Sequence, residues 1–172
     1  MMIEEETGQK WYAVNTGFKR EKFVKKLLDR KKIVAYLPLV ERTKKYRSRI
    51  KLYSVPLLTC YVFVYINEIE RIQVLETDYV KGFVKFEGKE APIPSHEIDI
   101  LKKVVGQYDD VQLIDSKELK HGDRVELLAG ELTGLKGRII EEKGKRLYLV
   151  RFEGIGINLS WTVSSSKLRK VI

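Results

Sequence analysis

The chain has 172 residues, with 33 Lys and Arg against 24 Asp and Glu, a formal net charge of +9. That length holds one ordinary domain or two small ones, and the basic balance points to a polyanionic partner without choosing among DNA, RNA and anionic lipid. One cysteine, Cys60, excludes an intrachain disulfide and a cysteine metal cluster, no apolar run reaches membrane-spanning length, and Met1 to Gly8 lack the basic start and apolar core of a secretory signal. A cytoplasmic protein without cofactor or membrane partner is expected, with Cys60 packed as a small buried residue.

After a flexible N-terminus over 1–8, residues 9–106 read as a first module. Trp11 to Thr16 is apolar, aromatic and β-branched and predicts a strand. A helix follows over Lys19 to Arg30, where Phe23, Val24, Leu27 and Leu28 share one face and Lys19, Arg20, Lys22, Lys25, Lys26 and Arg30 occupy the rest. Ile33 to Val40 predicts a second strand with Pro38 near its end. Arg42, Lys44, Lys45, Arg47, Arg49 and Lys51 crowd around Tyr46, which favours a solvated, mobile hairpin or loop.

The unbroken apolar run Tyr61 to Ile66 predicts a central strand covered on both faces. Asn67 and Glu70 form a capping-box pair for a helix whose Ile69, Ile72 and Leu75 are expected to be buried. A strand over Phe83 to Phe86, a turn at Gly88, and a helix opened by Pro94 and Ser95 complete the module. In that helix Ile98, Leu101, Val104 and Val105 recur at helical spacing until Gly106.

Residues 107–118 lack a sustained period, carry Asp109, Asp110 and Asp115, and read as a linker. In 119–172 the pattern changes to short runs, Val125 to Leu128, Gly137 to Glu141, Leu147 to Phe152 and Ile157 to Val163, separated by glycines. That spacing predicts a small all-β barrel filled by Tyr148 and Trp161. Catalysis has little support. The two histidines, His96 and His121, have no second His or Cys at metal-ligand spacing, and neither a phosphate-cradling glycine loop nor a nucleophile elbow is present, so no catalytic or metal residues are expected.

The second module contains Gly122-Asp123-x-Val125 followed by Ala129-Gly130-Glu131-Leu132-x-Gly134-x-x-Gly137, which resembles the KOW motif. Glycines at 130, 134 and 137 suit positive φ between strands, while Val125, Leu127, Leu135 and Ile139 are expected to point inward. The first module adds Trp11-Tyr12-Ala13-Val14, the basic helix with Glu21, Leu37-Pro38, Pro56-Leu57-Leu58-x-x-Tyr61-Val62-Phe63-Val64, Gly82-Phe83-Val84, Pro92-Ile93-Pro94 and Glu97-Ile98. In that order they resemble the NusG type of transcription elongation and antitermination factor, with a flavour of the specialised RfaH and UpxY paralogues. Two places depart from the family pattern. Leu58-Thr59-Cys60 stands where Phe-Pro-Gly is common, and Glu131-Leu132 where Pro-Phe is usual.

The resemblance implies an α+β N-terminal domain, an antiparallel sheet flanked by helices, joined to a small SH3-like KOW barrel. It implies an apolar depression that grips the clamp helices of RNA polymerase and disfavours pausing or termination, with Leu58, Tyr61 and Phe83 as expected contacts. Lys19, Arg20, Lys44, Lys45, Arg47 and Arg49 are expected to neutralise phosphates of the non-template DNA strand, the upstream duplex or nascent RNA, and Tyr46 to stack on an unpaired base. A merely solvated surface is the competing reading of this set. The KOW domain, in the family, docks Rho, a ribosomal protein or RNA. Its β-branched strands give no reason to assume a switch to a helical hairpin. A monomer is expected. The alternative function is an RNA-binding, ribosome-associated translation protein that uses the KOW barrel; a nuclease is a further one.

Overall fold

A computed structural model of the chain describes residues 8–45, 47–85, 88–108, 110–113, 122–128, 130–142, 145–152, 156–163 and 165–171. It divides into two compact units, Met1–Ile98 and Asp99–Ile172. The first carries β1 (Lys10–Thr16), α1 (Glu21–Arg30), β2 (Val34–Tyr36), β3 (Leu39–Lys45), β4 (Ile50–Pro56), β5 (Tyr61–Ile66), α2 (Glu68–Leu75) and β6 (Val80–Phe83). Four of its strands form an antiparallel sheet in the order β2-β5-β1-β6.

Alternation along the strands divides their side chains between two faces. Val14, Val62, Val64 and Ile66 meet Val24 and Leu28 of α1, Val74 of α2, and Ile33, Leu37 and Phe83 in one buried cluster. Burial of each such aliphatic side chain contributes roughly 1.5–3 kcal/mol. The other face carries Trp11 against Tyr65 at 5.3 Å, and Tyr36 stacked on a fully buried Phe63 at 6.3 Å. Both faces of β5 are therefore largely covered, which accounts for its unbroken apolar run. Burial also raises the Tyr36 phenol above its ordinary range.

Several expectations need correction. The strand expected over 33–40 is split at Leu37 and Pro38: β2 pairs with β5, whereas β3 leaves to pair with β4. Pro38 has no amide hydrogen for a ladder, and its carbonyl instead accepts from Leu57 N–H at 2.8 Å. The capping box of α2 forms in full, Asn67 Oδ1 accepting from Ile69 and Glu70 N–H and Glu70 Oε2 accepting from Asn67 N–H. Yet Ile69, Ile72 and Leu75 are 74%, 62% and 48% exposed, and Val74 is the α2 residue that reaches the core. The last strand of the sheet is Val80–Phe83 instead of 83–86, because a turn closed by Val80 N–H to Thr77 O brings the chain back early; Phe86 lies outside the described residues.

Helix α3 (Ser95–Gln107) buries Ile98, Leu101 and Val104 as expected and runs through Gly106 instead of ending there. In the second unit β7 (Gln112–Leu113), β8 (Arg124–Leu127), β9 (Lys136–Glu142), β10 (Lys145–Phe152), β11 (Ile157–Trp161) and β12 (Leu168–Lys170) form one antiparallel sheet, ordered β12-β8-β9-β10-β11-β7. Of the residues read as a linker, Gln112 and Leu113 pair with β11, while 114–118 lie outside the described residues, as do 1–7.

Tyr148 and Trp161 are fully buried with rings 5.1 Å apart, edge to face, and Tyr148 Oη donates to Leu135 O at 2.6 Å. Val125 and Leu127 are buried, but Leu135 and Ile139, expected to point inward, are only half-buried. Gly130 and Gly134 do take positive φ, +91° and +86°. Gly137 does not; it is glycine for space, since a Cβ there would lie 2.5 Å from Leu149 O and 2.7 Å from Tyr148 Cζ. Gly122 is tighter, with a Cβ falling 1.8 Å from Ile139 O.

Gly137→Ala is expected to destabilise the second unit by roughly 1–3 kcal/mol or more through overpacking against backbone, read as a lower urea midpoint at unchanged slope. Burial, then Tyr108 and Glu126 nearby, raise the Tyr148 phenol. A raised folded-state value means stability is intact below the unfolded tyrosine range and is lost as pH climbs above about 10. Urea titrations across alkaline pH should show that loss, and Tyr148→Phe should flatten it.

Candidate functional site

The surface around the end of β1 is built on a buried carboxylate. Glu21, in the first turn of α1, is 3% exposed, and its Oε1 accepts from Cys60 N–H at 2.7 Å. Cys60 O in turn accepts from Thr16 N–H at 2.8 Å. Cys60 is half-buried, not fully buried as expected, and holds φ +66°, so its backbone matters more than its thiol.

Between β1 and α1 the loop Gly17 to Arg20 is tied by Gly17 N–H to Tyr79 O at 2.9 Å. Lys19 and Tyr79 both hold left-handed φ, +58° and +67°, conformations that cost a non-glycine residue about 1–2 kcal/mol each. They bring together an aromatic and cationic surface. The Arg20 guanidinium lies 4.7 Å over the Tyr79 ring, Phe23 meets Tyr79 edge to face at 5.7 Å, and Lys19 Nζ sits 5.2 Å over Phe18. Phe18, Phe23 and Tyr79 are 66%, 44% and 48% exposed. Exposed rings interleaved with cations can stack unpaired bases and neutralise their phosphates.

Of the basic residues expected at a nucleic-acid surface, Lys19 and Arg20 belong to this cluster, and Lys44, Lys45, Arg47 and Arg49 lie on or beside the β3–β4 hairpin, all exposed. Lys22 of α1 links the two regions, its Nζ donating to Ser54 O of β4 at 2.5 Å. Tyr46 lies outside the described residues. Sequence reasoning missed Phe18, Phe23 and Tyr79. Phe23 has the spacing of the packed face of α1 yet lies at its rim, and the position of Tyr79 opposite Arg20 depends on a long-range turn.

The three expected apolar contacts are not brought onto one exposed surface. Leu58 is buried; Tyr61 is half-buried and pairs with Asn15, so it shares that residue's sheet face; Phe83 pairs with Val14 and lies on the opposite face. Phe83 is covered by the Arg71 guanidinium at 4.1 Å, which also lies over Tyr12 and pairs with Glu90. Among the described residues, no three His, Cys, Asp or Glu side chains gather as a metal site, and no helix is long and apolar enough to cross a membrane.

A family model described as "Transcription termination factor nusG" matches residues 9–102, more than half of the chain. The chain belongs to the NusG family. Members of the family are transcription factors, and the mixed fold with antiparallel sheets agrees with its N-terminal domain. Among solved structures, one described as "Domain interaction in Thermotoga maritima NusG" shares 22% identity over 95% of this chain and 98% of that one, with a TM-score of 0.56. A structure of an MjSpt4:Spt5 complex, conformation A, shares 19% identity over 94% and 97%, with a TM-score of 0.33. None of the curated proteins matches the chain.

Because Cys60 occupies left-handed backbone, Cys60→Gly should leave stability equal or raise it by up to about 1 kcal/mol, whereas the β-branched Cys60→Val should lower it by roughly 1–2 kcal/mol. Glu21→Ala, which orphans the Cys60 amide, should cost about 1–3 kcal/mol. Chemical denaturation of the three variants checks the set.

Proposed function

We propose that this protein is a transcription elongation and antitermination factor. It binds the clamp helices of RNA polymerase through Met1–Ile98, suppresses pausing or termination, and docks a further partner through a KOW domain in the second unit. The observation that carries this reading is the NusG family match over residues 9–102. The glycine pattern Gly122, Gly130, Gly134 and Gly137, with Asp123 and Val125, supports the KOW assignment, because two of these positions take positive φ and two leave no room for a Cβ. Rho or a ribosomal protein is the proposed partner there, and the factor acts as a monomer.

The proposed polymerase contact centres on Tyr61, held by the Glu21 and Cys60 tie one residue away. Leu58 and Phe83, both buried, act on that contact only through the packing of the domain, Phe83 from the opposite face of the sheet. The stripe Ile69, Ile72 and Leu75, left uncovered by the domain's own core, offers a second apolar contact for a protein partner. Lys19 and Arg20, with Phe18, Phe23 and Tyr79, form the proposed contact for the unpaired non-template strand or nascent RNA, and Lys44, Lys45, Arg47 and Arg49 add phosphate contacts from the hairpin.

Pull-down with core RNA polymerase, followed by single-round transcription on a leader template, tests this reading. Polymerase capture with shortened pauses or read-through is expected, and dependence of that effect on the leader would mark an operon-specific factor. Tyr61→Ala should weaken capture roughly ten-fold or more if Tyr61 anchors the contact; a folded variant that binds fully would remove it from the interface. Phe18→Ala should lower affinity for single-stranded DNA roughly five-fold or more, by the loss of one stacked base. Retention on ribosomes without polymerase capture would instead favour a translation role.

A further inference from the structure

The β3–β4 hairpin is a sheet of its own. Its seven register pairs, from Leu39↔Pro56 to Lys45↔Ile50, are joined to no third strand among the described residues. A two-stranded ribbon alone in water is marginal, yet this one also exposes large apolar side chains. Alternation and register place Arg42, Lys44, Lys51 and Tyr53 on one face, above the buried Val40 at the base. The other face carries Leu52 and Ile50 toward the tip, 56% and 66% exposed, opposite Thr43 and Lys45, while the Glu41 and Ser54 pair separates them from Leu39, 37% exposed, at the base. Within 41–51 there are six basic side chains and one acid, Glu41.

The occupant must satisfy both features. Six cations on so short a ribbon attract a polyanion, while exposed Ile50 and Leu52 are stabilised by apolar surface that water leaves. A groove of duplex DNA supplies both, with phosphates along its rims and base edges or stacked faces within. Two-stranded ribbons enter grooves of duplex DNA, and in the minor groove apolar side chains pressed between base steps bend the duplex. Lysine and arginine stems are long enough to curve round a ribbon to the flanking phosphates. Single strands have no groove, and the deep, narrow major groove of A-form RNA does not admit the ribbon.

We propose that the β3–β4 hairpin is a DNA arm that enters a groove of duplex DNA with Ile50 and Leu52 against the bases and its cations on both phosphate rims, bending the duplex. This rests on the proposed nucleic-acid role of the hairpin cations and extends it from phosphate neutralisation to groove insertion.

The full-length protein is titrated into a 30-base-pair DNA duplex carrying a donor and an acceptor dye at its ends, and in parallel into a single strand of the same length. Binding to the duplex with a rise in energy transfer is expected. The surface variant Ile50→Ser/Leu52→Ser should lose the rise and bind roughly ten-fold more weakly, with its salt slope unchanged and its circular dichroism and melting like the parent's. Lys44→Gln/Lys45→Gln/Arg47→Gln should reduce the salt slope by about 2–3. If the serine variant bends and binds duplex as the parent does, insertion is overturned while the phosphate contacts stand. If the parent binds only the single strand, the arm is overturned and the aromatic surface near Phe18 survives. Absence of binding to either nucleic acid overturns both.

Discussion

The hydrogen bond from the Cys60 amide to the buried Glu21 carboxylate sets the geometry on which the first unit's surface depends. With Thr16 N–H donating to Cys60 O, it joins the end of β1, the first turn of α1 and the entry to β5. An acidic group in the first helical turn also suits the partial positive charge there. The bond therefore fixes two things at once: where Tyr61 begins the central strand, and where the loop Gly17 to Arg20 leaves β1. A shift in the Cys60 turn would move the proposed polymerase contact and the aromatic, cationic surface together. This explains why a buried acidic residue opens a helix whose other acid, Asp29, is exposed and paired with Lys25.

Much of the architecture was legible in the sequence because its signals are local. The run Tyr61 to Ile66, the capping pair Asn67 and Glu70, and the short strands of the second unit each carry their own pattern, and all appear close to the expected positions. What was misread required knowledge of neighbours. Periodicity correctly places Ile69, Ile72 and Leu75 together on a helix, but it cannot say whether anything covers them; α2 meets the sheet through Val74 instead. Phe23 likewise has helical spacing with Leu27 yet lies at the rim, against Tyr79. Strands β7 and β12, two and three residues long, are too short to show a period.

The candidate site was legible in charge and illegible in shape. Lys19 and Arg20 stand out as cations in any reading, but the rings that turn them into a stacking surface come from residues 18, 23 and 79, joined by the Gly17 to Tyr79 hydrogen bond. Lys19 and Tyr79 accept left-handed backbone to reach these positions, a cost that the core does not require. The expected trio Leu58, Tyr61 and Phe83 fails as one surface for a simpler reason. Strand side chains alternate, and the register puts Tyr61 and Phe83 on opposite faces.

The two departures from the family pattern distinguish what backbone needs from what a side chain supplies. Where the resemblance leads one to expect Phe-Pro-Gly, Cys60 still takes the left-handed φ that explains a glycine, and Leu58 is still buried as an apolar anchor. In the second unit Leu132 is buried where an aromatic is usual, with Glu131 beside it in solvent. Both loops thus keep their conformational demand and an inward apolar group while their residues change. An apolar exchange forfeits only contact area, whereas a Cβ at Gly122 or Gly137 would collide with backbone. The glycines of the second unit are for that reason its least replaceable positions, and Cys60 is the position where the first unit tolerates strain to keep the turn.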